Sequence, residues 1–302
     1  MHINAVLQAL FVTFLWSTSW VLIKIGLQSN LPALTFAGLR YSLAFLCLLP
    51  FVFINSKYHQ AIRSVSTATW GRIIILGIVF YTVTQGAQFL SLAFLPAATL
   101  SLLLNFSPIF VALPSGLINK EPPSVIQWMG ILISALGAMV YFFPLEIRAG
   151  QTLGLVIALI GVFANAGSSL LGRQMNLQSG LSPIVITALS MGIGGPLLLG
   201  VGILTQGFGH LALVQWLIIG WLAVVNTAIA FTLWNHSLRT LTAVESSIIN
   251  STMLPQIAIL AWIFLGEQLH LKQIMGITLV GIGTLIVQLW RNSPVRNKKQ
   301  IV

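Results

Sequence analysis

Aspartate is missing altogether from these 302 residues, and four glutamates are the only acidic side chains. Charged residues of both signs make up 6% of the chain, against roughly 25% in an ordinary soluble domain. So little polar surface cannot coat a globule in water. The single cysteine, Cys47, excludes an intrachain disulfide and a cysteine metal cluster, and its expected role is apolar filler. Hydrolysis inside a bilayer would need a metal dyad, an aspartate pair, or serine with histidine. The chain has no HExxH, no G-x-S-x-G and no Walker A loop. Its histidines, His2, His59, His210, His236 and His270, are scattered over loops and span ends, which leaves no convergent catalytic pair. The chain therefore reads as a non-enzyme without cofactor or metal. An ATP-driven pump would need its motor from a partner.

What the chain has is hydrocarbon: 57% of its residues are hydrophobic and the mean hydropathy is +0.97. Lipid is the solvent that tolerates this composition. A helix needs roughly 20 apolar residues to cross the bilayer core. Ten runs qualify, near 4–27, 34–54, 71–93, 97–118, 125–144, 152–172, 183–205, 213–237, 243–265 and 271–290. They are too long and too continuously apolar for the alternating strands of a barrel. The first is too long and too Trp-rich for a signal segment, and no small-residue cleavage site follows it, so it is expected to stay in the mature protein.

The loop cations set the orientation. With the N-terminus in the cytoplasm, Lys57, Arg63, Arg72, Lys120, Arg173, Arg239, Arg291, Arg296, Lys298 and Lys299 lie inside. Lys24, Arg148 and Lys272 lie outside. Both termini are thus expected on the cytoplasmic face of the cell membrane. The net charge of +10 reads as topology and contact with anionic lipid, and nucleic acid is not expected as a partner. Residues 291–302 form a short basic tail.

The chain also repeats itself. NKEPPSVIQWMGILISALG (119–137) and LGEQLHLKQIMGITLVGIG (265–283) place Glu121 and Glu267, Gly130 and Gly276, and Gly137 and Gly283 at a common offset of 146. Trp70 and Trp216 share that offset. A duplication on this scale gives two domains, 1–146 and 147–290, of five spans each. An odd number of crossings inverts the second copy relative to the first. The expected fold is an all-α integral membrane protein of ten transmembrane helices in two inverted five-helix repeats. Inverted repeats are a common basis for alternating access to a midplane site.

The paired MG[IL] segments, the acidic residue before each half's last span, LWSTSWVLIKIGL, PALTFAGLRYSLAFL and LAVVNTAIAFTLWNHSLRTL together carry a resemblance. The chain resembles the EamA-like branch of the drug/metabolite transporter superfamily along essentially its whole length. Two departures stand out: Pro122-Pro123 follow Glu121 where Arg-Leu is commoner, and the second half's proline is displaced to Pro255. The resemblance implies a ten-helix transporter of small organic compounds, often an exporter. It does not name a substrate. A non-transporting membrane scaffold and a metabolite importer or facilitator remain as alternatives, and a homodimer is left open.

The duplicated motif itself reads as scaffold. Glu121 and Glu267 fall at interfacial turns, where a carboxylate suits the start of the next helix. The glycines make a face for close helix approach, either within the chain or in a dimer.

Polar and aromatic groups at mid-span depth are the better binding candidates, because an unpartnered polar group facing lipid is costly. Trp16 and Trp20 share a face of the first span. Tyr81, Gln85 and Gln88 share one in the third by helical spacing. Asn105 precedes Pro108, Asn226 and Trp234 lie in the eighth span, and Asn250 precedes Pro255. Each proline removes a backbone donor next to polar residues. Arg40, inside the second span, can serve structure or pair with a substrate carboxylate. The expected substrate-binding set is Trp16, Trp20, Arg40, Tyr81, Gln85, Asn105, Asn226, Trp234 and Asn250. Glu245 and His236 are the candidates for proton coupling, and Glu245 can also pair with Arg239.

Overall fold

The computed structural model describes residues 2–28, 31–95, 97–143, 151–265 and 270–290. Glu267 and the basic tail lie outside the described residues. Apolar runs in lipid must bond every backbone N–H and C=O within the segment, so they wind into helices. Among the described residues there is no strand.

Helix α1 (His2–Gln28) leads to α2 (Ala33–Ile54) and a short helix α3 (Ser56–Arg63) that buries no side chain. Helix α4 (Thr67–Leu76) passes through a π-helical segment, Gly77–Thr84, into α5 (Gln85–Phe94). Helices α6 (Ala97–Leu104) and α7 (Ser107–Ile118) make one rod broken at Asn105 and Phe106, and α8 (Val125–Phe142) follows. Next come α9 (Thr152–Gln178), α10 (Pro183–Gln206), and α11 (Leu213–Ala223). A second π-helical segment, Val224–Ile229, carries α11 into α12 (Ala230–Ser237). Helices α13 (Ala243–Ser251) and α14 (Met253–Leu265) are again one rod, broken at Thr252, before α15 (Leu271–Leu289).

The interruptions come in pairs. The π segments begin at Gly77 and Val224, and the rod breaks fall at Asn105 and Thr252, each pair close to the repeat offset of 146 read from the sequence. Pro108 and Pro255 sit in the first turns of α7 and α14, where a missing N–H has no intrahelical acceptor to lose. The prolines thus start new helices rather than bend continuous ones.

Among the described residues eight stretches are long and apolar enough to cross a membrane: His2–Trp20, Ala33–Ile54, Thr67–Phe94, Thr99–Ile118, Thr152–Gln178, Pro183–Gln206, Leu213–Ser237 and Leu271–Leu289. Val125–Tyr141 is a shorter apolar helix, and the break at Thr252 interrupts the rod of α13 and α14. Outward side chains such as Ile54, Leu117 and Leu204 are more than four-fifths exposed, a surface fit for lipid. The main core fills with Phe36, Tyr41, Ile73, Tyr81, Ile186 and Met191, between α2, α4 with its π continuation, and α10.

The duplicated glycines form a seam inside the chain, where α8 and α15 pack closely. A Cβ added at Gly130 would lie 2.7 Å from the carbonyl oxygen of Gly283, and one at Gly276 would lie 2.7 Å from that of Gly137. Only glycine permits this approach of two backbones. The glycine face is occupied by its own counterpart and is not available to a second copy.

Candidate functional site

At mid-depth the bundle encloses a cavity of about 80 Å³. Both halves of the chain line it. Trp16, Trp20, Arg40, Gln85 and Gln88 come from the first, and Asn165, Ser169, Trp234 and Asn250 from the second. A water needs roughly 10–15 Å³, so the space is wettable, but it is smaller than the roughly 300–1,000 Å³ of a pocket that encloses a drug-sized ligand. A metabolite-sized occupant therefore requires the helices to part.

Of the residues expected from sequence, Trp16, Trp20, Arg40, Gln85, Trp234 and Asn250 are brought together around this space. The Trp16 ring packs against Phe231 and Trp234, with centroids 4.9 and 5.0 Å away. Gln85 accepts a hydrogen bond from the Tyr41 hydroxyl at 2.6 Å. Asn250 keeps an Oδ1 without a hydrogen-bond partner among the described residues.

Tyr81, Asn105 and Asn226 stand behind the wall. Tyr81 is fully buried among Tyr41, Phe80 and Phe231. It lies in the π segment, whose wider turn breaks the helical spacing that put it on one face with Gln85 and Gln88. Asn105, at the break in the α6–α7 rod, donates to the Ser101 carbonyl at 2.8 Å.

Asn226, in the second π segment, organises the wall from behind. Its carbonyl oxygen accepts from the Trp16 indole N–H and from Arg40 Nη2, each at 3.1 Å. Its side-chain amide donates to Thr18 Oγ1 at 3.1 Å and to the Leu15 carbonyl. Arg40 Nε donates to Thr227 Oγ1 at 2.7 Å. One irregular turn thus fixes an indole from α1 and a guanidinium from α2.

A second polar group joins α1 to the α13–α14 break. Gln256 accepts from Ser17 at 3.0 Å and donates to Thr13 at 3.0 Å and to Thr252 at 3.3 Å. Sequence reading missed Gln256, although a glutamine one residue past Pro255 carried the same signal as Asn250.

The end of the bundle where α1 begins is laced shut by polar contacts. Arg173 Nη2 meets Glu121 Oε1 at 2.7 Å, and Arg173 Nη1 donates to the Leu238 carbonyl at 2.6 Å. Gln8 donates to the Leu233 carbonyl at 2.9 Å and faces His236 Nδ1 at 3.1 Å. Glu245 caps α13, accepting from the Thr242 N–H at 2.8 Å, and meets His2 Nε2 at 3.3 Å. Arg239, the partner expected for Glu245, donates instead to the Leu181 carbonyl at 2.6 Å. Glu245 and His236 belong to this end and not to the cavity wall. Glu121, expected to favour the start of the next helix, is held by Arg173, a pairing that sequence reading did not foresee.

The family model described as the EamA-like transporter family matches residues 3–143 and 152–289. The chain is 27% identical to the uncharacterized transporter YvbV of Bacillus subtilis over 280 residues, covering 89% of this chain and 87% of that one. It is 24% identical to YoaV, an uncharacterized transporter of the same organism, over 93% of this chain and 95% of that protein. An S-adenosylmethionine/S-adenosylhomocysteine transporter of Chlamydia muridarum is 23% identical, with 84% and 82% covered. A solved crystal structure superimposes with a TM-score of 0.77 at 16% identity, covering 95% of this chain and 98% of the other, which shows a shared fold. With both halves matched, the chain is a multi-pass membrane protein that belongs to the EamA-like transporter family of the drug/metabolite transporter superfamily.

Proposed function

We propose that this protein is a secondary transporter that moves a small organic metabolite across the cytoplasmic membrane by alternating access to the mid-depth cavity. The observation that carries the reading is a polar and aromatic cavity lined from both halves of the chain. Paired π segments and paired rod breaks surround it. Irregular helix inside a bilayer is tolerated where it is buried in protein or lines a cavity, and inverted-repeat transporters use it that way.

In this reading the short helix α8 and the rod of α13 and α14 supply the remaining crossings, giving ten. The two domains, 1–146 and 147–290, are inverted copies joined by the α8–α15 seam. The paired family matches and the matching interruptions support that division. Both termini lie in the cytoplasm, as the loop cations favour. The laced end is then the cytoplasmic end, and the cavity reaches from mid-depth toward the outer face along Trp16 to Ile23 of α1 and Gln85 to Leu92 of α5. The Chlamydia relative, named as a transporter of S-adenosylmethionine and S-adenosylhomocysteine, supports an organic metabolite as cargo. Export is the direction that the family resemblance favours.

Proteoliposomes holding the purified protein, offered a mixed metabolite pool and read by mass spectrometry against empty liposomes, test the reading. Accumulation of one chemical class supports it. Folded protein that moves no class of compound would leave the non-transporting scaffold as the better account.

A further inference from the structure

Arg40 is 3% exposed in the middle of the protein and has no carboxylate within ion-pairing distance among the described residues. Its hydrogen bonds go to a hydroxyl, Thr227 Oγ1, and a backbone carbonyl, that of Asn226. Both acceptors are neutral. They orient the guanidinium, and the Tyr41 ring, 5.3 Å from its Cζ, gives a cation–π contact. No anion balances the charge among the described residues, which is an expensive arrangement in low dielectric. Nε and one hydrogen of Nη2 are used, while Nη1 and the other Nη2 hydrogen have no acceptor among the described residues. Each terminal nitrogen therefore keeps at least one hydrogen to offer, and a carboxylate can accept from two guanidinium nitrogens in parallel.

Arg40 is also the one charged residue among the described residues that line the cavity. Among the described residues no acid lines it, so none of them compensates a cation there. One positive charge matches a monoanion better than a doubly charged phosphate. The same cavity is lined by Trp16, Trp20, Trp234 and Phe231, an apolar wall suited to a flat or aliphatic body.

Resting on the transporter reading above, we infer that the cavity selects small organic monoanions. The carboxylate docks on Arg40 and the apolar body lies against the tryptophans. Asn226 and Thr227 are positioning residues that hold the guanidinium toward the cavity.

The test is thermal unfolding and titration calorimetry of the purified full-length protein with matched probes. Phenylacetate and hexanoate are compared with phenylacetamide, hexanamide and benzylammonium. The carboxylates are expected to bind and stabilise, and the amides and the ammonium are expected to do neither. Arg40→Gln is expected to weaken carboxylate binding at least about tenfold, the loss of a charge-assisted bond. Arg40→Lys should retain the preference for anions at lower affinity. Should Arg40→Gln fail to fold, the wild-type preference for carboxylate over amide still decides. Equal binding of all probes, preference for the ammonium, or binding by none of them overturns the anion site. Flux of neutral or cationic compounds without carboxylate binding would overturn it and leave the transporter reading intact. Arg40-dependent carboxylate binding without flux of any compound would do the reverse.

Discussion

Asn226 shows how one residue can matter to a cavity it does not line. Its backbone oxygen collects Trp16 and Arg40, and its amide ties down α1 at Leu15 and Thr18. Trp16→Phe keeps a ring against Phe231 and Trp234 but removes the indole hydrogen bond together with part of the packed bicyclic ring. A loss of about 1–3 kcal/mol is expected, read as a fall in thermal midpoint. Trp16→Ala and Gln85→Ala are expected to impair flux in proteoliposomes while the protein still elutes as a folded species in size-exclusion chromatography. Wild-type flux in both would place the transport path elsewhere. The cavity lining was legible where helical spacing held, as for Trp16, Trp20, Gln85, Arg40 and Trp234, because a mid-depth polar or aromatic group in lipid must turn inward. It was not legible for Tyr81 and Asn226. Both sit in π segments, where a slipped hydrogen-bond register rotates side chains away from the face that a 3.6-residue period assigns, and no residue pattern announces that slip.

At the scale of elements, two contacts between helices carry predictions. The α8–α15 seam leaves no room for a methyl group at Gly283, where a Cβ would meet the Gly130 carbonyl and the Ser134 backbone. Gly283→Ala is expected to cost about 1–3 kcal/mol in thermal unfolding in detergent. Gly220→Ala in α11, where a Cβ meets nothing within 4 Å, is the control and should be neutral or slightly stabilising. The paired glycines were readable from the repeat, but their use within one chain needed the fold. The Arg173–Glu121 pair sits with side chains 5% and 15% exposed. Glu121→Gln strands a buried guanidinium and is expected to destabilise by about 3–5 kcal/mol. The double replacement Arg173→Met with Glu121→Leu should recover most of that loss. A double-mutant cycle of thermal midpoints decides. Additive losses with no recovery would mean that the pair does not tie this end of the bundle. The pair escaped sequence reading because its partners lie 52 positions apart in the chain.

For the whole molecule, the all-helical class and the order of the apolar segments follow from hydropathy, whereas the expected count of ten crossings does not. The interruptions recur close to the offset of the duplicated segments. Among the described residues eight stretches reach full crossing length, and α8 falls short because Ser124 caps its start and Phe142 ends it. The arrangement joins a constricted cavity, an end laced by Arg173, Gln8 and Glu245, and an opposite end with cavity-lining residues leading toward it. Alternating access is the central claim, and accessibility tests it most directly. With Cys47 replaced by alanine, a single Ser169→Cys on the cavity wall is exposed to a membrane-impermeant maleimide from each side of sealed vesicles in turn. Labelling from either side is expected. Labelling from one side only, or from neither, would contradict alternating access.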